Sequence, residues 1–146
     1  MQIRKYTHYD YPYLKKWFKD WDNWTPCSLD SIPLGTSFIV EEQGKPFLFS
    51  CYYRTNSNIA VMGFTLADRY NHKDIRTDAT STLMEYIKNH ARENEFSILY
   101  YSTDTASKHM VDHFVEAGGV VTDDANAYIA CMALKPVDID FFVQED

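Results

Sequence analysis

The sequence predicts one mixed α/β domain, an α+β arrangement on a mixed sheet, in the order β-α-β-β-β-α-β-α-β over residues 1–134, with an acidic, aromatic tail over 135–146. Three observations predict it. Two largely apolar runs rich in β-formers, Ile59 to Leu66 and Phe96 to Ser102, are each short enough to be a buried strand. Between them Leu83, Met84, Ile87 and Ala91 fall three or four apart, with Glu85, Lys88 and Asn89 on the opposite face, so an amphipathic helix joins the two strands and lays them parallel. Upstream, two more strands are separated by turn-forming residues only, which makes an antiparallel meander.

Gln2 to Tyr6 alternates as a short first strand. Asp10 then offers an N-cap for a helix running through Trp21, with Pro12 in the first turn, where its missing N–H costs nothing, and Leu14, Trp17, Phe18 and Trp21 as its apolar stripe. The longest irregular piece is Asp22 to Gly35, with two prolines and several turn formers. Ser37 to Glu42 turns at Gln43-Gly44-Lys45 into Pro46 to Tyr53, which turns across Arg54 to Asn58 into the strand Ile59 to Leu66. A polar loop, Ala67 to Thr77, leads to the central helix; Asn71 with Asp74 three residues on offers an earlier start that would fill that loop with helix. After Phe96 to Ser102, a helix from about Thr105 to Ala117 turns Met110, Phe114 and Ala117 inward and stops at Gly118-Gly119. Val120 to Thr122, a polar turn at 123–126 and the strand Tyr128 to Leu134 complete the domain.

At 146 residues and 45% hydrophobic composition the chain can bury one core. A net charge of −7 argues against nucleic acid, whose phosphates call for a basic face, and leaves room for a basic protein partner. No stretch approaches a membrane span and the first residues carry no apolar leader, so no membrane association is expected. Cys27, Cys51 and Cys131 are odd in number and lack metal or disulfide spacing, which fits a reduced, cytoplasmic chain. No metal is expected: His109 and His113, four apart on one helix, have no acidic third ligand nearby. In the tail, acids alternate with Ile139, Phe141, Phe142 and Val143, either packing on the domain or forming a short partner or homodimer contact.

This order of elements resembles the GNAT acyltransferase fold from Gln2 to Leu134. IRKYTHYDYPYLKKW is similar to that family's opening strand and helix, STLMEYIKNHARENEFSILYY to its central helix and following strand, and SKHMVDHFVEAGG to its late helix with a glycine turn. The segment QGKPFLFSCYYRTNSNIAVM, paired with a degenerate cofactor loop, also resembles divergent GNAT-like proteins of phage type. The resemblance implies acetyl-CoA as cofactor and an amine as acceptor. It implies that the strands Ile59–Leu66 and Phe96–Ser102 splay at their C-terminal ends, so that pantetheine pairs with exposed backbone at Phe64, Thr65 and Leu66. The family's R/QxxGxG/A pyrophosphate loop would fall on Ile75 to Thr80, placing Arg76, Thr77, Asp78, Ala79, Thr80 and Ser81 at the cofactor. None of its three signature residues is present: Ile75 replaces Arg or Gln, Asp78 the first glycine and Thr80 the last. A carboxylate about 5 Å from a phosphate costs roughly 3 kcal/mol at an effective dielectric of 20.

The family's chemistry needs a base for the amine and an acid for the departing thiolate. The tyrosine that commonly supplies the acid, four residues before the glycine turn, is Phe114 here, and Met62-Gly63-Phe64 stand where a glutamate would be sought. Tyr101 and Asp68 are the candidate catalytic residues, with Tyr100 and Ser102 nearby in sequence. Asp68 also reads as a plain turn residue. The acceptor would enter against the aromatic region of Trp17, Trp21 and Trp24. Two functions follow: an N-acetyltransferase, or a catalytically inactive GNAT-fold binding protein acting through its acidic surface as an inhibitor or assembly component.

Overall fold

The computed structural model describes residues 1–21, 27–104, 108–123 and 127–135. The expectations for Trp24, for Thr105, for the turn residues 124–126 and for the tail from Pro136 onward lie outside them. Among the described residues the strands are β1 (Gln2–Lys5), β2 (Ser37–Glu42), β3 (Lys45–Tyr53), β4 (Ile59–Ala67), β5 (Ile98–Asp104), β6 (Val120–Asp123) and β7 (Ala127–Ala133), and the helices are α1 (Tyr11–Asp20), α2 (Lys73–Glu93) and α3 (Lys108–Glu116). They form one mixed sheet in the order β1-β2-β3-β4-β5-β7-β6. Its one parallel pairing among the described residues is β4 with β5, as the helical crossover predicts. Val120–Asp123 adds a strand to the expected order, because it pairs with β7 at the sheet edge.

Alternation along the strands divides the interior in two. Ile39, Phe49 and Cys51 face α1 and pack with Leu14, Trp17 and Phe18. Phe38, Val40, Leu48 and Tyr52 face the other way, where α2 contributes Leu83, Met84 and Ile87 and α3 contributes Val111 and Phe114. The β2–β3 hairpin turns on Gln43 and Gly44, both at positive φ (52° and 78°), a conformation glycine adopts without steric cost.

Asp10 does precede α1, but its side chain serves elsewhere. Its two oxygens accept from Arg4 Nη2 and Nη1 at 2.8 and 2.9 Å, and one of them also accepts the Thr7 N–H at 2.9 Å. Arg4 Nε donates in addition to Glu41 at 2.9 Å. Asp10 is buried, and despite the desolvation that pushes its pKa upward, these donors hold it below the usual carboxylate range. This network pins the start of α1 to β1 and β2.

Candidate functional site

β4 is where the sheet opens. It is paired on both edges only at its start: Ile59, Ala60 and Val61 pair with Ile98, Leu99 and Tyr100, and the ladder to β5 then stops. The cause lies in the next residues. On the β3 side Tyr52 pairs with Met62 and Ser50 with Thr65, so Cys51 stands opposite both Gly63 and Phe64, a β-bulge. The bulge reverses the facing of the strand: Ala60 and Met62 belong to the core under α2, whereas Phe64 and Leu66, also even-numbered, pack on the α1 side. Gly63 is required there, because a Cβ would lie 2.4 Å from Cys51 Sγ and 2.8 Å from Tyr53 Cε2. β4 therefore bends away while β5 continues along β7 to Asp104.

The gap is a cleft of about 840 Å³ between β4, β5, α2 and α3. Its walls include Leu48, Phe64, Thr65, Leu66, Ala67 and Tyr101 from the sheet, and Lys73, Arg76, Thr77, Thr80, His109, Met110 and His113 from the helices. The Asp68 N–H donates to Phe47 O at 2.8 Å, so the antiparallel alternation turns the peptide groups of Thr65 and Ala67 toward the gap. Ala67 O accepts the Trp21 indole N–H at 2.8 Å, and Trp21 closes that end of the cleft with the Arg69 and Arg76 guanidinium groups each 5.5 Å from its ring. No Asp or Glu is among the described lining residues, although the whole chain carries −7.

The supposed pyrophosphate loop is not a loop. α2 starts at Lys73, inside the segment expected to be irregular, so helix does fill that loop as the earlier start would have it, but the cap is His72, one residue beyond the expected Asn71. His72 caps it, its Nδ1 accepting the Asp74 N–H at 3.2 Å, and the Arg76 N–H already bonds His72 O at 3.0 Å. Polar residues are tolerated within the helix because Thr77, Thr80 and Thr82 return their hydroxyls to the carbonyls four residues back. From Arg76 onward the backbone N–H groups are consumed by the helix and cannot cradle a phosphate. Of the residues assigned to that loop, Arg76, Thr77 and Thr80 line the cleft; Ala79 is buried in the core; Asp78 is exposed and lies outside the lining. Ser81 bonds His113 Nδ1 at 3.0 Å.

Of the candidate catalytic groups, Tyr101 lines the cleft, largely buried, with its ring 5.5 Å from that of Phe114. Phe114 is fully buried under Gly119, whose Cβ would fall 2.2 Å from the Phe114 ring. Asp68 follows β4 in a turn, its Oδ1 accepting the Tyr70 N–H at 3.0 Å, and it lies outside the lining. Trp17 belongs to the α1 core and Trp21 to the cleft. Lys73, which with Arg69, His72 and Arg76 is close enough in sequence to the expected loop to meet a phosphate from its side chain, does line the cleft, whereas His109 and His113 were not placed here by sequence reasoning. Burial and the neighbouring His109 lower the pKa of His113, against the smaller opposing influence of Glu116 and Asp112.

No family model matches the chain, and no curated protein matches it in sequence. Its fold, by contrast, has many solved counterparts. The aminoglycoside 6'-N-acetyltransferase from Enterococcus faecium superposes with a TM-score of 0.75 at 10% identity, covering 94% of this chain and 99% of that one. The ribosomal-protein-alanine N-acetyltransferase from Brucella melitensis gives 0.67 at 15% identity, with 91% and 99% covered. The fold is that of the GNAT N-acetyltransferases. A third GNAT-fold structure, N-acetylglutamate synthase from Neisseria gonorrhoeae complexed with coenzyme A and L-arginine, gives 0.70 at 13% identity and covers 92% of this chain but 33% of that longer one. The splayed pair β4 and β5 is thus seen in a GNAT fold whose sequence retains none of the glycine signature at Ile75 to Thr80.

Proposed function

We propose that the cleft binds acetyl-CoA and that the protein transfers the acetyl group to an amine. The observation that carries this reading is the open inner edge of β4 beyond the Gly63–Phe64 bulge. Unpaired peptide groups on a buried edge are costly, and an extended chain bearing amides, such as pantetheine, satisfies them without side-chain help. Thr65, with the Ala67 N–H, provides that edge, while the peptide groups of the expected Phe64 and Leu66 turn toward β3. Arg76, Lys73 and the absence of carboxylates among the described lining residues suit an anionic cofactor.

In the reaction, the amine lone pair attacks the thioester carbonyl carbon; the C–N bond forms and the C–S bond breaks. The amine gives up its proton to water, since Asp68 lies outside the cleft lining, and water returns a proton to the Tyr101 phenolate at the end of the cycle. The Tyr101 hydroxyl, in the wall of the cleft beside Phe114, protonates the departing thiolate. Most of the acceleration comes from holding thioester and amine together.

A second reading is a GNAT-fold binding protein without chemistry, acting through its acidic surface on a basic partner. The helical Ile75–Thr80 segment and the Phe114 ring favour it. Calorimetric titration with acetyl-CoA, followed by a screen of amines read by thiol release, separates the two. Micromolar binding with thiol release on adding an amine supports the transferase, and binding without release for any amine class supports the binding protein.

A further inference from the structure

We infer that phosphate groups of the ligand are held by side chains of two helices, Lys73 and Arg76 of α2 with His109 and His113 of α3, and not by backbone N–H groups of a glycine loop. The inference rests on the reading that the cleft holds a phosphate-bearing thioester, and three observations on these residues support it. Arg76 Nε is buried with no hydrogen-bond partner, although its guanidinium stacks on Trp21. An unpaired buried donor of this kind is satisfied by an oxygen anion arriving in the cleft, and charge-assisted bonds to guanidinium are among the stronger ones. The glycine-loop route is closed from Arg76 onward, because α2 has absorbed the segment that would otherwise present free N–H groups there. Finally, Lys73 and Arg76 bring positive charge and His109 and His113 bring ring nitrogens to one cleft with no carboxylate among the described lining residues, a lining that suits a dianion.

The α3 imidazoles make this site unlike a fixed cationic one. Ser81 Oγ lies 3.0 Å from His113 Nδ1, which orients the ring. The charged groups around the pair are Lys73 and Arg76 from α2, Asp112 and Glu116 on α3 itself, and the Tyr101 hydroxyl from β5. In the free protein burial favours the neutral form of the His113 ring, against the opposing influence of Glu116 and Asp112. A phosphate reverses that balance, so binding takes up protons and tightens as the pH falls through the imidazole range.

The test is calorimetry on the full chain with two probes, coenzyme A and inorganic pyrophosphate, at pH 6 and pH 8 and in two buffers of different ionisation enthalpy. The wild type is expected to bind several-fold tighter at pH 6 with proton uptake. Arg76→Gln should lose about tenfold or more. The double substitution of His109→Gln and His113→Gln should abolish the proton uptake, and Asp78→Gly, outside the lining, should gain no affinity. Arg76→Lys, which keeps the charge with less disturbance to packing, guards against a folding defect in Arg76→Gln and should retain part of the affinity. Coenzyme A binding that is indifferent to Arg76 and to both histidines would overturn the inference while leaving the cofactor reading standing. Pyrophosphate binding that depends on Arg76, with coenzyme A silent, would support the clamp and sink the cofactor reading. Failure of both probes to bind would overturn both.

Discussion

The two ends of the cleft differ in what they are made of. At the vertex, where β4 leaves β5, the site is backbone: a bulge opposite Cys51, an unpaired strand edge, and a glycine that no other residue can replace without a clash. At the α2 end it is side chain: Lys73, Arg76, His109 and His113 on a helix pair, with the expected glycine loop rewound into helix. Backbone sites survive sequence drift, because most side chains along a strand can change without moving its peptide groups. Side-chain sites have no such protection and must be rebuilt when their residues change. This chain has the backbone opening and, in place of the glycine loop, side-chain cations at the α2 end, within a fold that it shares with the structures compared above at 10–15% identity.

The largest expected effect breaks the vertex. Gly63→Val forces a branched Cβ into Cys51 and Tyr53; it is expected to cost about 3 kcal/mol, lowering the unfolding midpoint by roughly 6–12 °C, and to abolish acetyl-CoA binding. Thermal unfolding with a binding titration checks this, and a variant that is stable and still binds would mean that the bulge does not hold the slot open. Next comes Tyr101→Phe, which should leave acetyl-CoA affinity within about twofold and slow transfer by about a hundredfold. Equal rates for the two proteins would remove Tyr101 from the chemistry.

The smallest effect concerns the α2 end and needs no ligand. Burial keeps the folded-state pKa of His113 below its ordinary value near 6.5, so as the pH drops the unfolded chain takes up the proton first. The stabilisation is therefore present above pH 6.5 and lost as the pH falls through the folded value. His90, lowered chiefly by desolvation, adds to the same slope. Denaturant midpoints from pH 7.5 to 5 should fall less steeply in His113→Gln, and bound pyrophosphate should flatten or invert the wild-type slope; an unaltered slope in the variant would show that His113 does not titrate as described.

Much of the fold was legible because it is written in local periodicity. Leu83, Met84, Ile87 and Ala91 recur at helical spacing and are buried, and Ser37–Glu42 was bounded as found. The start of α2 was harder: its first two turns are polar and partly exposed, so the apolar pattern begins only at Ala79, and His72 as a cap through its ring nitrogen leaves a weak local sign. Gly63 drew notice for the acid it lacks, whereas its role depends on Cys51 and Tyr53 of the neighbouring strand. Lys73 and Arg76 could be grouped in advance because they are neighbours in sequence, but His113 lies 40 residues from Lys73 and lines the same cleft only because α2 and α3 pack on the same side of the sheet.

The sequence by itself determined the alternation of strands and helices, the parallel crossover from β4 to β5 and the loss of the glycine signature, because each depends on neighbours within a few residues. Tertiary structure alone decided that β4 bulges and splays, that Trp21 takes the Ala67 carbonyl, and that imidazoles of α3 share a cleft with Arg76. These depend on which backbone edges remain unpaired and which distant side chains converge, and both are fixed only when the sheet and its covering helices pack together.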